Sequence, residues 1–408
     1  MADGRNLRYD NAKGILIILV VVGHFLLPIK GNTRVCSNIF FLIYTFHMAA
    51  FTFISGLFSQ GIYREIQGRK RFNWSRWFRT LVLYIVFEII TFFSEIPAYG
   101  KTSDFPNFLK DTGAPWYLFA LLIWYLFIPF LSLFKDKYIR IGSDKKYRRN
   151  NIIYRKKALK IPCSLHLWIC ITILSLAGGY FQVFEKYLEL DRVISFAPFF
   201  FAGYFLGQEK LEKYFDYRKV FSVFSSLNLL ITAASVIAVG FFMFDYLWDY
   251  RYVVYGSWYE KVSPLGIDGR LYMGSLSTEW IVRLVWYIMA GNMTFTFLRF
   301  MPTGNIPFIT KTGQRTLQIY ILHRPIRDLI LAAGYITCVD PSNLSQLSIL
   351  IVCSVLLTVV LSAKIFAFPF STLLYIVESC IASGAKSKSK SKYKFGSKGK
   401  DKSRMDGG

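Results

Sequence analysis

The sequence predicts an all-α polytopic membrane protein with about ten transmembrane helices and both termini in the cytosol. Composition comes first. Of 408 residues 54% are hydrophobic and only 18% charged, yet 49 Lys+Arg against 25 Asp+Glu leave a formal net charge of +24. A soluble nucleic-acid binder of that charge has no use for 39 Phe, 26 Tyr and 9 Trp, so nucleic acid is excluded as a partner. Charge distribution is the second observation: residues 60–79 hold six basic and one acidic residue, 135–160 hold eleven and two, and 376–408 hold nine and three. Long apolar runs between these blocks are the third.

A crossing needs about 20 apolar residues, and ten segments approach that length: 14–29, 37–58, 77–96, 116–134, 163–184, 193–207, 220–244, 280–298, 316–337 and 347–376. The first follows a short charged segment, 1–13, but has no small-residue cleavage site after it and contains His24, so it reads as a retained span. The second carries Ala49, Ala50, Ser55 and Gly56, small residues suited to close helix packing. The sixth, 193–207, is short. The tenth is long and contains Pro369, which predicts a kink or an interfacial end. Together these define a membrane domain over 14–376, followed by a polar, low-complexity tail, 377–408, expected to be disordered. The tail is either a solvated tether or a patch that holds anionic lipid headgroups, worth about 1 kcal/mol per basic residue near the surface.

Alternation of the ten spans places residues 60–76, 135–162, 208–219 and 299–315 and the tail on the side of Arg5, Arg8 and Lys13. These are the basic loops, as expected for the cytosolic face. The opposite loops are near neutral or acidic; 245–279 has five acidic and three basic residues. That loop also holds Trp248, Tyr250, Tyr252, Tyr255, Trp258 and Tyr259, which suit either a sugar-binding surface or an interfacial aromatic belt.

Ionisable residues inside spans mark function. Three of four histidines fall there: His24, His47 and His323. Lys13 precedes His24 by eleven residues, about 20° apart on a helical wheel and roughly 16 Å along the axis, with Asp10 within about 40° of the same face. His24 is therefore the leading candidate for a proton acceptor near neutral pH; the alternative is a histidine bonded to backbone in helix packing. Tyr320 and His323 share a face of the ninth span. Arg324 and Arg327 either face a water-filled or anion-occupied cavity or snorkel to an interface. The six cysteines include no CxxC pair and no Cys/His ligand spacing, so no metal site is expected. Cys36 and Cys338 lie on one face of the topology, as two unpaired thiols or as a bridge if the compartment is oxidising.

The run RYDNAKGILIILVVVGH (Arg8–His24), followed by FHMAAFTFISG (Phe46–Gly56), resembles the acyltransferase-3 family of integral membrane O-acyltransferases, and within it the sugar acetylases related to fucose 4-O-acetylase. Weaker likenesses follow in the family's order at Pro115–Trp124, Ala197–Gly207 and Thr316–His323. The resemblance implies transfer of an acyl group, usually acetyl, from cytosolic acyl-CoA as donor substrate to a hydroxyl of a sugar or polysaccharide on the far side, with no resident cofactor. It matches His24 to the family's first-span histidine and Lys13 to a basic residue that is Arg in many members; Ala49 stands where relatives often have Pro. On this reading His24 is the general base, Lys13 with Asp10 and Arg8 serves the phosphates of the donor, His323 or Tyr320 donates to the developing oxyanion, and His47 and Ser55 contact substrate. The alternative class is a proton-coupled transporter using His24 and His47, although the chain halves show no internal repeat.

The topology has a direct test. A cysteine in the tail and one placed at Ser257 are expected to react with a membrane-impermeant reagent from opposite sides of sealed vesicles. Labelling of both from one side overturns the ten-span arrangement.

Overall fold

A computed structural model describes residues 7–66, 68–100, 106, 108, 113–141, 145–149, 152–156, 159–181, 188–216, 221–242, 251–259 and 279–398. The chain is a helical bundle. Among the described residues six helical segments are long and apolar enough to cross a bilayer, Arg8–Ile29, Arg34–Leu57, Trp74–Tyr99, Glu279–Phe300, Leu344–Leu361 and Lys364–Ile381, with shorter apolar helices at Trp116–Ser132, Cys163–Gly178 and Ser226–Gly240. In chain order the helices are α1 (Arg8–Leu26), α2 (Arg34–Leu57), α3 (Trp74–Tyr99), α4 (Trp116–Ser132), α5 (Cys163–Gly178), α6 (Leu190–Leu206), α7 (Gln208–Asp216), α8 (Phe221–Phe242), α9 (Arg251–Val254), α10 (Glu279–Phe300), α11 (Ile309–Gln314), α12 (Thr316–Ala332), α13 (Leu344–Leu361) and α14 (Lys364–Lys398).

Local chemistry explains the helix ends. Thr33 caps α2 by accepting from the Cys36 N–H, Asn73 caps α3 from Arg76 N–H, and Asn343 caps α13 from Ser345 and Gln346 N–H. Gly100, at φ 63°, closes α3 with its N–H on Ile96 O. α1 begins at Arg8, earlier than hydropathy predicts, so Asp10 and Lys13 are already helical and Asp10 lies in the favourable first turn. The short sixth segment, α6, is largely buried by protein, with Phe196, Phe200 and Tyr204 in the core.

The chain is mostly helical, as predicted, with short antiparallel ribbons in the basic loops: Tyr63–Ile66 with Arg69–Phe72 (β1, β2), Tyr138–Ile141 (β3) with Leu159–Pro162 (β6), and Lys145–Arg149 (β4) with Ile152–Lys156 (β5). Alternating β-branched, aromatic and basic residues outside the hydrocarbon favour extended pairing over helix. The single tenth segment, 347–376, is two helices that break at Ser362–Ala363. Gln318 on α12 donates to Leu361 O and Ala363 O, and Arg315, just before α12, to Ser362 O, so these side chains bond the carbonyls at the break. The middle of α14 is then tied by an Arg79–Glu378 pair at 2.7 Å to the first turns of α3. Its backbone stays helical to Lys398, into the segment expected to be disordered.

Helices in lipid gain little from apolar burial against one another, so close backbone packing must hold them. α2 is central and packs most extensively on α6. A Cβ built on Gly56 would stand 1.9 Å from Phe200 O, and one on Gly203 2.1 Å from Phe53 O. Around this crossing the core is aromatic: Trp124 stacks on Phe200 at 4.8 Å, and Trp286 meets Phe196 and Phe199 edge-on at 5.3 and 5.8 Å. A second core joins α1, α2 and α13 through Leu16, Ile17, Phe40, Ile54 and Leu347. The outward face exposes Phe93, Phe130, Leu174, Leu230, Ile288 and Ile349, an apolar girdle that a bilayer covers.

Arg324 and Arg327 do not snorkel. Between α3 and α12 they join a buried ion cluster: Arg324 to Glu95 at 2.9 Å and to Asp328 at 3.1 Å, Arg327 to Asp328 at 2.9 Å. Ser94 donates to Asp328 at 3.1 Å and Arg327 to Tyr99 Oη at 2.8 Å. Arg327 and Asp328 are completely buried. Two carboxylates answer two guanidinium groups, and this makes the charges tolerable at that depth.

Two stability outcomes follow. Gly203→Val is expected to lower thermal stability in detergent by about 1–3 kcal/mol or more through overpacking, while Gly240→Ala, whose Cβ meets nothing within 4 Å, leaves it unchanged. Asp328→Asn, which strands Arg327, is expected to lose about 3–5 kcal/mol; Glu378→Gln, in an exposed pair, loses about 0–1 kcal/mol. Fluorescence-detected melting of the four variants measures both.

Candidate active site

The start of α1 is clamped by the segment 302–314. Asn11 donates to Pro302 O and Gly304 O at 2.8 Å, and Gln314 donates to Asp10 at 3.4 Å. Backbones touch where α11 crosses: a Cβ on Gly313 would lie 1.7 Å from Asp10 O, and one on Gly14 2.2 Å from Ile309 O. Asp10 is buried at 2% exposure and holds Lys13 at 2.9 Å. Arg8, which sequence grouped with them, projects elsewhere on the helix, beside Glu212 at 3.9 Å and over Phe215 at 4.7 Å, both on α7.

Three helical turns above Lys13, His24 meets His323 with ring centroids 5.0 Å apart. Sequence alone did not join these two. His323 is fully buried and its Nδ1–H donates to Ile319 O at 3.0 Å, leaving Nε2 as the lone-pair nitrogen. Nε2 of His323 and Nδ1 of His24 are buried and bond to nothing among the described residues. The paired rings therefore carry unused proton-binding capacity inside the membrane domain. Tyr320 lies 6.2 Å from the His323 ring, and its hydroxyl donates to Ala114 O. His47 is buried, its Nδ1–H on Ile43 O at 2.7 Å and its ring edge-on to Tyr44 at 4.8 Å. Ser55 shares a hydrogen bond with the Tyr117 hydroxyl.

Two cavities organise these side chains. The lower, about 180 Å³, is mostly apolar and is lined by Lys13, Ile17, Phe51, Ser55, Tyr117 and Leu121 among others. The upper, about 300 Å³, is lined by His24, His47, Lys30, Tyr44, Trp116, Arg192, Tyr255 and Arg324 among others. Val20, Met48 and Tyr320 line both, so the cavities abut at those side chains. From Lys13 to Lys30 is about 26 Å of helix rise, close to the roughly 30 Å hydrocarbon thickness. His47 and Ser55, paired by sequence as substrate contacts, thus belong to different cavities, His47 with His24 and Ser55 with Lys13.

The upper rim is where sequence reasoning missed residues. Lys30 donates to the Tyr255 hydroxyl at 2.7 Å and stands over the Phe40 and Tyr255 rings at 5.1 and 4.7 Å. Burial first, then repulsion from Arg251 and Arg192, lowers its pKa to about 8, so it loses its proton as pH rises through that value. Arg192 lies over Trp116 at 5.9 Å and pairs with Glu189, which also accepts from Gly113 N–H at 2.6 Å. The available signal was Lys30 itself, a basic residue with Arg34 in the short first loop, on the side where loops are near neutral or acidic overall. From the aromatic loop, Tyr252 and Tyr255 reach the cavity. Trp258 and Tyr259 are not among its lining, and Trp248, Tyr250, Asp245, Asp249, Glu260 and Asp268 lie outside the described residues. Cys36 and Cys338 are both unpaired thiols, Cys36 buried with its Sγ on Ile29 O at 3.7 Å.

Comparison with known proteins follows the same outline. Residues 6–363 match the acyltransferase domain family. Nodulation protein NolL of Sinorhizobium fredii is 31% identical over 152 residues, 35% of this chain, and the match spans 41% of that relative's length. No solved structure matches. The matched region runs from the start of α1 to the α13–α14 break and encloses both cavities and every side chain of the histidine pair, so the chain belongs to the acyltransferase-3 family of membrane acyltransferases.

Proposed function

We propose that the protein moves an acyl group, acetyl in the first instance, from acyl-CoA on the Lys13 side to a hydroxyl of a sugar or polysaccharide on the Lys30 side. The observation that carries this reading is the His24–His323 contact, with His24 on the wall of an aromatic upper cavity that abuts an apolar lower cavity ending at Lys13. With the termini cytosolic, Lys13, oriented by Asp10, meets the phosphates of the donor as they arrive; Lys supplies charge there without the bidentate grip of Arg. Arg8 adds positive charge at the same face. The narrow apolar lower cavity suits the uncharged arm and acyl end of the thioester, and Ser55 and Tyr117 bound one wall of it.

The reaction is then a single acyl transfer. The acceptor hydroxyl attacks the thioester carbonyl from the upper cavity while His24 takes its proton, forming the new C–O bond. The tetrahedral oxyanion collapses, the C–S bond breaks, and the proton held on His24 passes to the departing CoA sulfur. Tyr320, at the wall common to both cavities, donates to the oxyanion when its hydroxyl turns from Ala114 O. His323, with a free Nε2 beside His24, orients or shares the transferred proton, and His47 lines the acceptor side. Tyr44, Trp116, Tyr252 and Tyr255 offer faces for sugar rings. The Lys-rich end of α14, on the cytosolic side in this reading, lies against anionic headgroups.

Purified protein in liposomes, given labelled acetyl-CoA and candidate glycans, tests the reading: label on the glycan supports it, and solute uptake without transfer favours a transporter instead. His24→Ala is expected to lower transfer by the 10²–10⁴-fold typical of a general base, roughly, with membrane insertion intact; a variant as active as the parent removes His24 from the chemistry. Lys13→Ala is expected to raise the KM for acetyl-CoA more than it lowers kcat, with Lys13→Arg tolerated. An unchanged donor KM in Lys13→Ala takes that residue out of the donor site.

A further inference from the structure

Resting on the reading that the acceptor occupies the Lys30 side, we propose that the upper cavity is a subsite for an anionic group, carboxylate or phosphate, borne by the acceptor. The described lining contains three basic residues, Lys30, Arg192 and Arg324, and no Asp or Glu. The carboxylates that hold Arg324, Glu95 and Asp328, are not part of the lining, and neither is Glu189, the partner of Arg192. Lys30 has a tyrosyl hydroxyl and two aromatic rings around its ammonium, and among the described residues no carboxylate lies within ion-pair distance of it.

A neutral sugar does not require this arrangement. Hydroxyls are recognised well by carboxylates, which accept, and by amides, which both accept and donate. A partly buried ammonium with no carboxylate within ion-pair distance among the described residues is unfavourable unless an anion arrives to offset it. Charge-assisted hydrogen bonds from Lys30 and Arg192 to one anionic group recover that cost, while Trp116 and the neighbouring tyrosines cover the ring that carries it. The acceptor class that fits is a sugar bearing a uronate or a phosphate, with the phosphate either free on the sugar or linking it to a lipid.

Equilibrium dialysis of the full chain in detergent against labelled glucose, glucuronate and glucose 1-phosphate tests this. The parent protein is expected to bind at least one charged sugar about tenfold or more tighter than glucose, the size of a charge-assisted hydrogen bond. Lys30→Gln loses that preference, Lys30→Arg keeps it, and acetyl-CoA binds all three proteins equally. Which anion binds better assigns carboxylate or phosphate, and competition by a short-chain lipid phosphate compared with inorganic phosphate separates the lipid-linked source from the free one. Equal binding of charged and neutral sugars by the parent protein overturns the proposal without any variant. So does a matching loss of acetyl-CoA affinity in Lys30→Gln, which makes the cavity part of the donor site. Label transfer from acetyl-CoA is read separately: charge preference without transfer retires the acyltransfer reading alone, and transfer without charge preference retires the anion subsite alone.

Discussion

Close approach of backbones at two crossings is the constraint on which the rest of this structure depends. Where α11 meets α1, Gly313 and Gly14 let main chains touch; where α6 meets α2, Gly203 and Gly56 do the same. Apolar side chains gain little by leaving lipid for a helix neighbour, so contact must come from dispersion at short range and from interhelical hydrogen bonds. Both crossings lie on the helices that carry functional side chains. The first sets the position of Asp10 and Lys13, and the second sets α2, from which His47 and Ser55 project into separate cavities.

The buried ion cluster extends that control to the other half of the site. Glu95 from α3 and Asp328 from α12 hold Arg324, so its guanidinium reaches the upper cavity with a fixed aim. His323 precedes Arg324 on the same helix and inherits the same rigidity, with its tautomer set by Ile319 O. Paired charges at depth are costly relative to apolar packing. Here they define which face of α12 meets α3, and therefore which face presents Tyr320 and His323 to α1.

A gradient of chemistry runs along α1. At Lys13 the wall is apolar apart from one cation and four hydroxyls; around His24 the upper cavity adds the imidazole of His47; at Lys30 it is aromatic and cationic. In the proposed reaction the first part takes the thioester donor, with its charged head and apolar arm, and the last takes a polar acceptor. Tyr320, Met48 and Val20 form the waist between them, so the two substrates would meet only where proton transfer is available.

Much of this was legible in the chain. Charge segregation and apolar length gave the membrane class, and eleven-residue spacing correctly put Lys13 and His24 on one helical face, because that inference needs only 3.6 residues per turn. The intramembrane histidines marked themselves by their cost. Other features were decided by tertiary structure. Sequence spacing says nothing about which helices are neighbours, so the His24–His323 contact, 299 residues apart in the chain, was out of reach, as was the separation of His47 from Ser55. The break at Ser362–Ala363 lay inside a run read as one span; Arg315 and Gln318, which only packing brings there, bond the carbonyls at it. Arg324 and Arg327 looked able to snorkel until Glu95, from a distant span, supplied a counter-charge. Periodicity along one helix is a local property that the amino-acid order determines by itself, whereas partnership between helices depends on packing, and packing decided which polar groups became a site.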